Sequence, residues 1–392
     1  MNSPSLEDIV REWEEQLGPE NLAKAHYQER MRMVQFFLSP VVAVLLAVLW
    51  LPTGLAVHLR DALGRGAAWY QAWAVILVIM LVNGILLFPL DWFFGFHVEN
   101  RLGTNRQTLG GWLADQIKEK GINLLLQSLM FLGLYLVFRH WPRQWFWGLS
   151  GVVVLVLVVL YLIQPWLIRM RFKAEPLDNP ALEARLRQLF AQTGVPFSRL
   201  ALLNASEKSS RANAALVPKG AGTEVVLFDT LLQDLDNEAI AAVVAHELGH
   251  KMHHDMLKVF TLLGIGLIAA LAAGYETLTV WGRLWGLHGP ADVATFPLLT
   301  AAVAVFSMVL TVGLNIYTRH EEEAADRFAL ETIGQAEPFI RAMQMLARKN
   351  KALPQPSRWV EMVLYNHPSL ARRVQNAYAW QARRNATPTA NH

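Results

Sequence analysis

The chain has 392 residues, 53% hydrophobic and only 17% charged, where a water-soluble enzyme of this size carries about a quarter charged residues. A net charge of +3 is too small for a nucleic-acid footprint, and the absence of cysteine removes disulfides, thiolate nucleophiles and cysteine-type zinc sites. The composition points to the membrane, and fourteen tryptophans suit rings placed at lipid–water boundaries.

In chain order, residues 1–33 read as a polar, charged lead-in without the pattern of a signal peptide. A helix must stay apolar for about 20 residues to cross the hydrocarbon core. Six stretches qualify: 35–51, 72–91, 122–138, 144–167, 257–281 and 293–316. Runs such as VVVLVLVVLYLI argue against buried helices of a soluble protein. Glycines and small residues in the last two stretches favour close helix packing. The predicted organisation has four parts. Residues 1–167 form an amphipathic segment and four transmembrane helices. Residues 168–256 form a soluble insertion, 257–316 two more transmembrane helices, and 317–392 a polar tail that completes the catalytic domain.

Within the insertion, Asn179-Pro180 begins a helix that Gly194 stops, and RLALLN follows as a short strand. ANAALV and TEVVLFD, joined through PKGAG, read as a hairpin. Asp236 then opens a long helix carrying HELGH. With four spans before the insertion and two after it, the N-terminus, the loop 92–121, the insertion and the tail share one side. Arg30, Arg32, Arg101, Arg106, Lys118 and Lys120 place that side in the cytoplasm.

His246 and His250 stand one turn apart on one helix face, which lets two imidazole nitrogens take adjacent corners of a zinc tetrahedron. Glu247 lies beside them, placed to accept a proton from a metal-activated water. The third ligand cannot follow the HExxHxxGxxH pattern, because His253 and Met256 occupy the positions of its glycine and final histidine. A carboxylate from RHEEEAADRFA (319–329) is the alternative. Three successive glutamates blur the register. Glu322 shares a face with Asp326, so Glu322 is chosen as ligand, and Asp326 is read as the acceptor of a ligating histidine's second N–H. Glu321 and Glu323 are expected to point elsewhere. His254, at i+4 from His250, is read as polar support about 6 Å further along the same helix. His253 is a weaker candidate, and Asp255 is left open as a cap or local hydrogen-bond acceptor.

HELGH with a later E-x-x-A-D (Glu322, Ala325, Asp326) resembles the type I CAAX prenyl endopeptidases, integral-membrane zinc metalloproteases of the gluzincin type. ENRLGTNRQTLGGW (99–112), RANAALVP…VVLFDTLL (211–232) and NHPSLARRV (366–374) match further family segments in the same order. The resemblance implies a mainly α fold: a polytopic helical barrel enclosing a chamber, with a small α+β metalloprotease domain. It implies one zinc ion held by His246, His250 and Glu322, with Glu247 as base. It also places His367 and Arg373 near the site, able to support a substrate carbonyl or oxyanion. Asn213, Ala214 and Ala215 either pair with an extended substrate or form an ordinary hairpin arm. Eukaryotic members carry one additional N-terminal span, which suggests that this chain is bacterial and lies in the inner membrane.

The expected partners are the lipid bilayer and a peptide or protein substrate, lipidated or merely membrane-associated, with no nucleic acid. Two other readings stand beside this one: an HtpX-like protease of membrane-protein quality control, and an inactive membrane scaffold.

Overall fold

The computed structural model describes residues 4–386 except 66, 104, 106, 172–173, 204–213 and 351–352. Helices dominate. The first half holds α1 (Leu6–Trp50), α2 (Leu55–Ala62), α3 (Trp69–Trp92), α4 (Glu99–Leu102), α5 (Leu109–His140) and α6 (Trp145–Arg171). After it come β1 (Ala174–Pro176), α7 (Pro180–Thr193), β2 (Phe197–Leu203), β3 (Ala214–Lys219), β4 (Gly222–Phe228), α8 (Asp229–Leu232) and α9 (Asn237–Met252). The chain ends with α10 (Asp255–Val280), α11 (Phe296–Ile333), α12 (Glu337–Asn350), α13 (Arg358–Leu364) and α14 (Leu370–Ala386).

Six of these helices are long and apolar enough to cross a membrane, and they fall on the six stretches read from the sequence. Their ends differ from the expectation in one place. The segment 92–121 was expected as a loop, but α3 runs on through a π-helical stretch, Phe93–Val98, into α4, and α5 already begins at Leu109. Continuing the helix satisfies backbone donors and acceptors that a loop near lipid would leave bare.

Contacts divide the chain into two compact units, one of residues 27–156 and 263–311 and the other of 1–26, 157–262 and 312–392. The first unit has its own core of Trp50, Ile76, Ile79, Tyr135, Phe138 and Phe296. Tyr135 bonds Thr295 at 2.8 Å, and Arg60 pairs with buried Asp292 at 2.5 Å. Large apolar side chains such as Ile85, Leu126, Leu155 and Ile265 remain exposed, as lipid-facing residues do. Gly266 lets α10 approach α11: an added Cβ would lie 2.4 Å from Leu310 Cδ1. This is the close packing expected from small residues in the last two spans.

The second unit is the α+β part. Its sheet has the order β1-β2-β4-β3, with β2 and β4 parallel and the other pairs antiparallel. The hairpin β3–β4 pairs Lys219 with Gly222, and Gly220 supplies the positive φ its tight turn requires. Asn179 caps α7 and Gly194 ends it in the left-handed region, as the sequence predicts. Leu186, Phe190, Leu227, Ile240, Val244, Leu248, Phe339 and Val374 form one core drawn from α7, β4, α9, α12 and α14. Ile9 and Trp13 at the start of α1 join that core, so the polar lead-in is anchored by an apolar stripe.

Candidate metal centre

Two local features bring the zinc-type motif into register. Asp236 caps α9, its Oδ1 accepting from Ala239 N at 2.8 Å. Gly249 then allows α11 to come against α9: a Cβ added there would sit 3.0 Å from Ala325 Cα and 3.2 Å from its carbonyl oxygen. The backbone contact sets His246 and His250 opposite Glu322, one turn before Asp326 on α11. Replacing Gly249 by valine is expected to cost about 1–3 kcal/mol through overpacking and to weaken metal retention. Thermal unfolding in detergent with metal analysis measures both.

The three side chains meet closely. His246 Nε2 lies 3.1 Å from His250 Nε2. Glu322 Oε2 is 3.3 Å from His246 Nε2, and Oε1 is 3.3 Å from His250 Nε2. Each ring donates its Nδ1–H away from this point, His246 to Asp326 at 2.9 Å and His250 to Asp255 at 2.8 Å. Both Nε2 lone pairs are thereby turned toward one another and toward Glu322. Glu322 Oε2 is buried and has no hydrogen-bond donor among the described residues. Two lone pairs at contact distance repel unless a cation lies between them. A tetrahedral ion with bonds of about 2.0–2.1 Å has donor–donor edges of roughly 3.3 Å, which the three separations match. The donor set therefore fits a divalent metal ion, and these three residues are grouped closely enough to hold one.

The surroundings favour positive charge at this point. Burial alone would lower the His246 imidazole, but the Asp326 and Glu322 carboxylates beside it lift it to about 9. His250 is raised for the same reason, by Glu322 and Asp255 against the effect of burial. The carboxylates that stabilise a proton here would equally stabilise a metal ion. Burial pushes the Glu247 carboxyl up, opposed by the two imidazoles beside it.

Residues 176–381 match the model of Peptidase family M48, and residues 5–173 match that of the CAAX prenyl protease N-terminal region, five membrane helices. The chain belongs to Peptidase family M48. An uncharacterized metalloprotease of Bacillus subtilis, YhfN, is 26% identical over 92% of this chain and 86% of its own. The CAAX prenyl protease 1 homolog of Caenorhabditis elegans is 26% identical over 77% of this chain and 75% of its own. The crystal structure of S. mikatae Ste24p superposes with a TM-score of 0.67 at 19% identity, covering 96% of this chain and 91% of that one. The family and the six apolar helices make this a multi-pass membrane metalloendopeptidase acting on peptide or protein substrates. Where the N-terminal family model describes five membrane helices, four long apolar helices lie within 5–173 among the described residues. The short α2 stands between the first and second of them.

For an M48 peptidase, the sequence-predicted residues are distributed as follows. Asp326 accepts from His246 Nδ1 at 2.9 Å. His367 is exposed, with Nδ1 2.8 Å from Glu322 Oε1. Arg373 comes to the same centre. It is buried, and its Nε and Nη2 hold Asp326 at 2.8 and 2.5 Å, with Nη2 3.4 Å from His246 Nδ1. A guanidinium held on a buried carboxylate in this way braces the partner of His246. Glu321 points away from the converging donors; it is buried and pairs with Lys258 at 2.8 Å. Ala214 and Ala215 lie on β3, the edge strand, which packs beside α9. Asn213 falls outside the described residues.

Asp255 is the functional neighbour that sequence reasoning left unassigned. α9 ends at Met252, and His254 takes the left-handed conformation with φ 57°. His254 therefore leaves the helix face predicted from its i+4 spacing. The reversal instead swings Asp255 back to His250, and Lys258 fixes the other carboxylate oxygen at 3.0 Å. Lys258 in turn bonds Glu321, so α10 and α11 are tied beside the centre. His253 packs edge-on against Phe328 at 5.8 Å between ring centroids. The only sequence signal for Asp255 was a carboxylate shortly after the motif, because HHD contains neither the glycine nor the proline that normally marks such a turn. Asp255→Asn is expected to weaken metal affinity about 10–100-fold, the usual effect of losing a carboxylate behind a ligating histidine, and competition with a chromophoric chelator measures it.

Proposed function

We propose that the chain is a zinc-dependent endopeptidase, with one ion per chain held by His246, His250 and Glu322 and with Glu247 as general base. The observation carrying this reading is the inward convergence of both Nε2 atoms and Glu322 while carboxylates hold both Nδ1 atoms. An N,N,O donor set leaving a corner for water suits catalytic zinc. When bound, zinc supplies the Lewis acid that makes water nucleophilic near neutral pH and polarises the scissile carbonyl.

The protein's own groups do the rest. Glu247 takes the proton of the attacking water and passes it to the leaving amine, and its burial-raised basicity suits that exchange. Asp326, held by Arg373, and Asp255, held by Lys258, keep both rings in the tautomer with Nε2 free. His367, exposed beside Glu322, donates to the developing oxyanion. An extended substrate adds to the sheet at the edge strand β3, which carries Ala214 and Ala215 and follows Asn213. Backbone N-methylation of a peptide substrate next to its cut site is accordingly expected to raise KM, whereas methylation several residues away should not.

The relatives named as CAAX prenyl protease 1 support substrates that are lipidated or held at the membrane. Nucleic acid is not a partner in this reading. The fold likeness supports the helical barrel and chamber of the resemblance, and the basic residues Arg101, Lys118 and Lys120 support a cytoplasmic catalytic side in a bacterial inner membrane. The test is metal analysis with chelation. The protein should carry about one zinc per chain, lose peptidase activity to a chelator and regain it with added zinc. A zinc-free preparation that cleaves peptides at full rate would overturn the assignment.

A further inference from the structure

A second polar site lies in the unit that carries the metal centre, on residues the peptidase chemistry does not use. It is a cleft of about 620 Å³ lined by Arg319, Arg358 and Arg372, with Gln355, Gln375 and Asn376 as neutral hydrogen-bonding groups. Glu361, the one carboxylate among the described residues that line it, already accepts from Ser369 N at 3.2 Å and from Arg372 at 3.2 Å. Three guanidiniums against one engaged carboxylate leave the cleft net positive.

The position of the cleft along the chain indicates what it meets. Asn315 Nδ2 donates to Val363 O at 2.7 Å, and Arg319 Nη1 donates to Glu361 O at 2.8 Å, to Met362 O at 3.2 Å and to Tyr365 O. These bonds satisfy the C-terminal carbonyls of α13 and pin it to the turn of α11 that directly follows the apolar stretch 293–316. On α13, next to Arg358, Trp359 is 73% exposed, and Ile316 on α11 is also exposed. A bare tryptophan on a short helix bonded to the end of a membrane span belongs at the headgroup level. Arginines at that level meet lipid phosphates, whose oxygens match the planar guanidinium fork.

We propose that this cleft binds the phosphate of an anionic phospholipid headgroup, holding α13 at the membrane surface. Arg358 and Arg372 supply the charge-assisted hydrogen bonds, the amides of Gln355, Gln375 and Asn376 take the rest of the headgroup, and Trp359 lies beside the glycerol backbone.

The test uses the full-length protein in detergent, with bound lipid counted by native mass spectrometry. The probes are dihexanoyl-phosphatidylglycerol, dihexanoyl-phosphatidylcholine, inorganic phosphate and a short polyglutamate peptide. Phosphatidylglycerol should bind saturably, and phosphatidylcholine at least about tenfold more weakly, because its ammonium opposes the arginines. Arg358→Gln together with Arg372→Gln should weaken phosphatidylglycerol at least about tenfold, the effect of losing a charge-assisted hydrogen bond. Arg358 is exposed, so Arg358→Gln alone keeps the fold, checked by unchanged helix and metal content, and should weaken binding in the same direction. Equal binding by the variants, or equal binding of the two lipids, overturns the proposal. So does displacement by inorganic phosphate at matched concentration, which would mark a soluble-phosphate site. Tighter binding of polyglutamate would mark a peptide site and overturn it as well.

Discussion

Glu247→Gln is expected to leave the metal bound and to lower kcat for peptide hydrolysis by ~10²–10⁴-fold, the usual contribution of a positioned general base. The substitution keeps shape and hydrogen-bonding size but removes the proton acceptor. Glu247 is not one of the three groups whose donor atoms converge, so the ion should stay. The carboxyl stands among charges: burial lifts it, the imidazoles of His246 and His250 draw it down, and Glu322 pushes it up again. A carboxyl raised in this way can take up and release a proton, which glutamine cannot do. Metal content, KM and kcat measured together decide the matter. A zinc-replete variant with an unchanged rate would remove Glu247 from the mechanism. Loss of zinc would instead make it a structural part of the site.

Arg373→Met is expected to be the most destabilising single change, costing about 3–5 kcal/mol, because removing one partner of a buried pair leaves the other charge without compensation. Arg373 and Asp326 are both buried, and two hydrogen bonds join them. Asp326 would keep only His246, so the defect should also weaken metal binding. The double variant Arg373→Met with Asp326→Leu separates the two effects. Stability should largely return, since an apolar pair of similar volume replaces a buried ion pair, while metal affinity stays low because His246 Nδ1 has lost its acceptor. Thermal unfolding and chelator competition on the singles and the double complete the cycle. Additive stability losses would show that Arg373 and Asp326 act independently.

Much of this molecule was legible because its signals are short-range. Apolar runs of bilayer length mark the six spans whatever their neighbours. The Asn179 cap, the Gly194 stop and the glycine-bearing hairpin turn lie within a few residues of what they control. The i, i+4 spacing of His246 and His250 is a property of one helix, and so is the shared face of Glu322 and Asp326. The errors have the same explanation in reverse. His254 was placed one turn beyond His250 because the spacing assumed a helix that in fact ends at Met252. A linear motif does not record which way a side chain turns, so it does not assign Arg373 to Asp326. The pairing of Glu321 with Lys258 joins two helices and leaves no mark in either segment alone.

The sequence by itself determined the membrane class, the capped and glycine-limited elements, the pair of histidines on one helix face and the choice of Glu322 from three adjacent glutamates. Periodicity and capping act within one segment, and that suffices for these features. Only the tertiary structure decided that Asp255 orients His250, that Arg373 serves Asp326, and that Lys258 links Asp255 to Glu321. It also decided that Gly249 is what admits α11 to α9. Each of these depends on a turn or a packed helix pair that sets the direction of a side chain toward a distant segment. Direction of that kind follows from the balance of packing over the whole unit rather than from any local pattern.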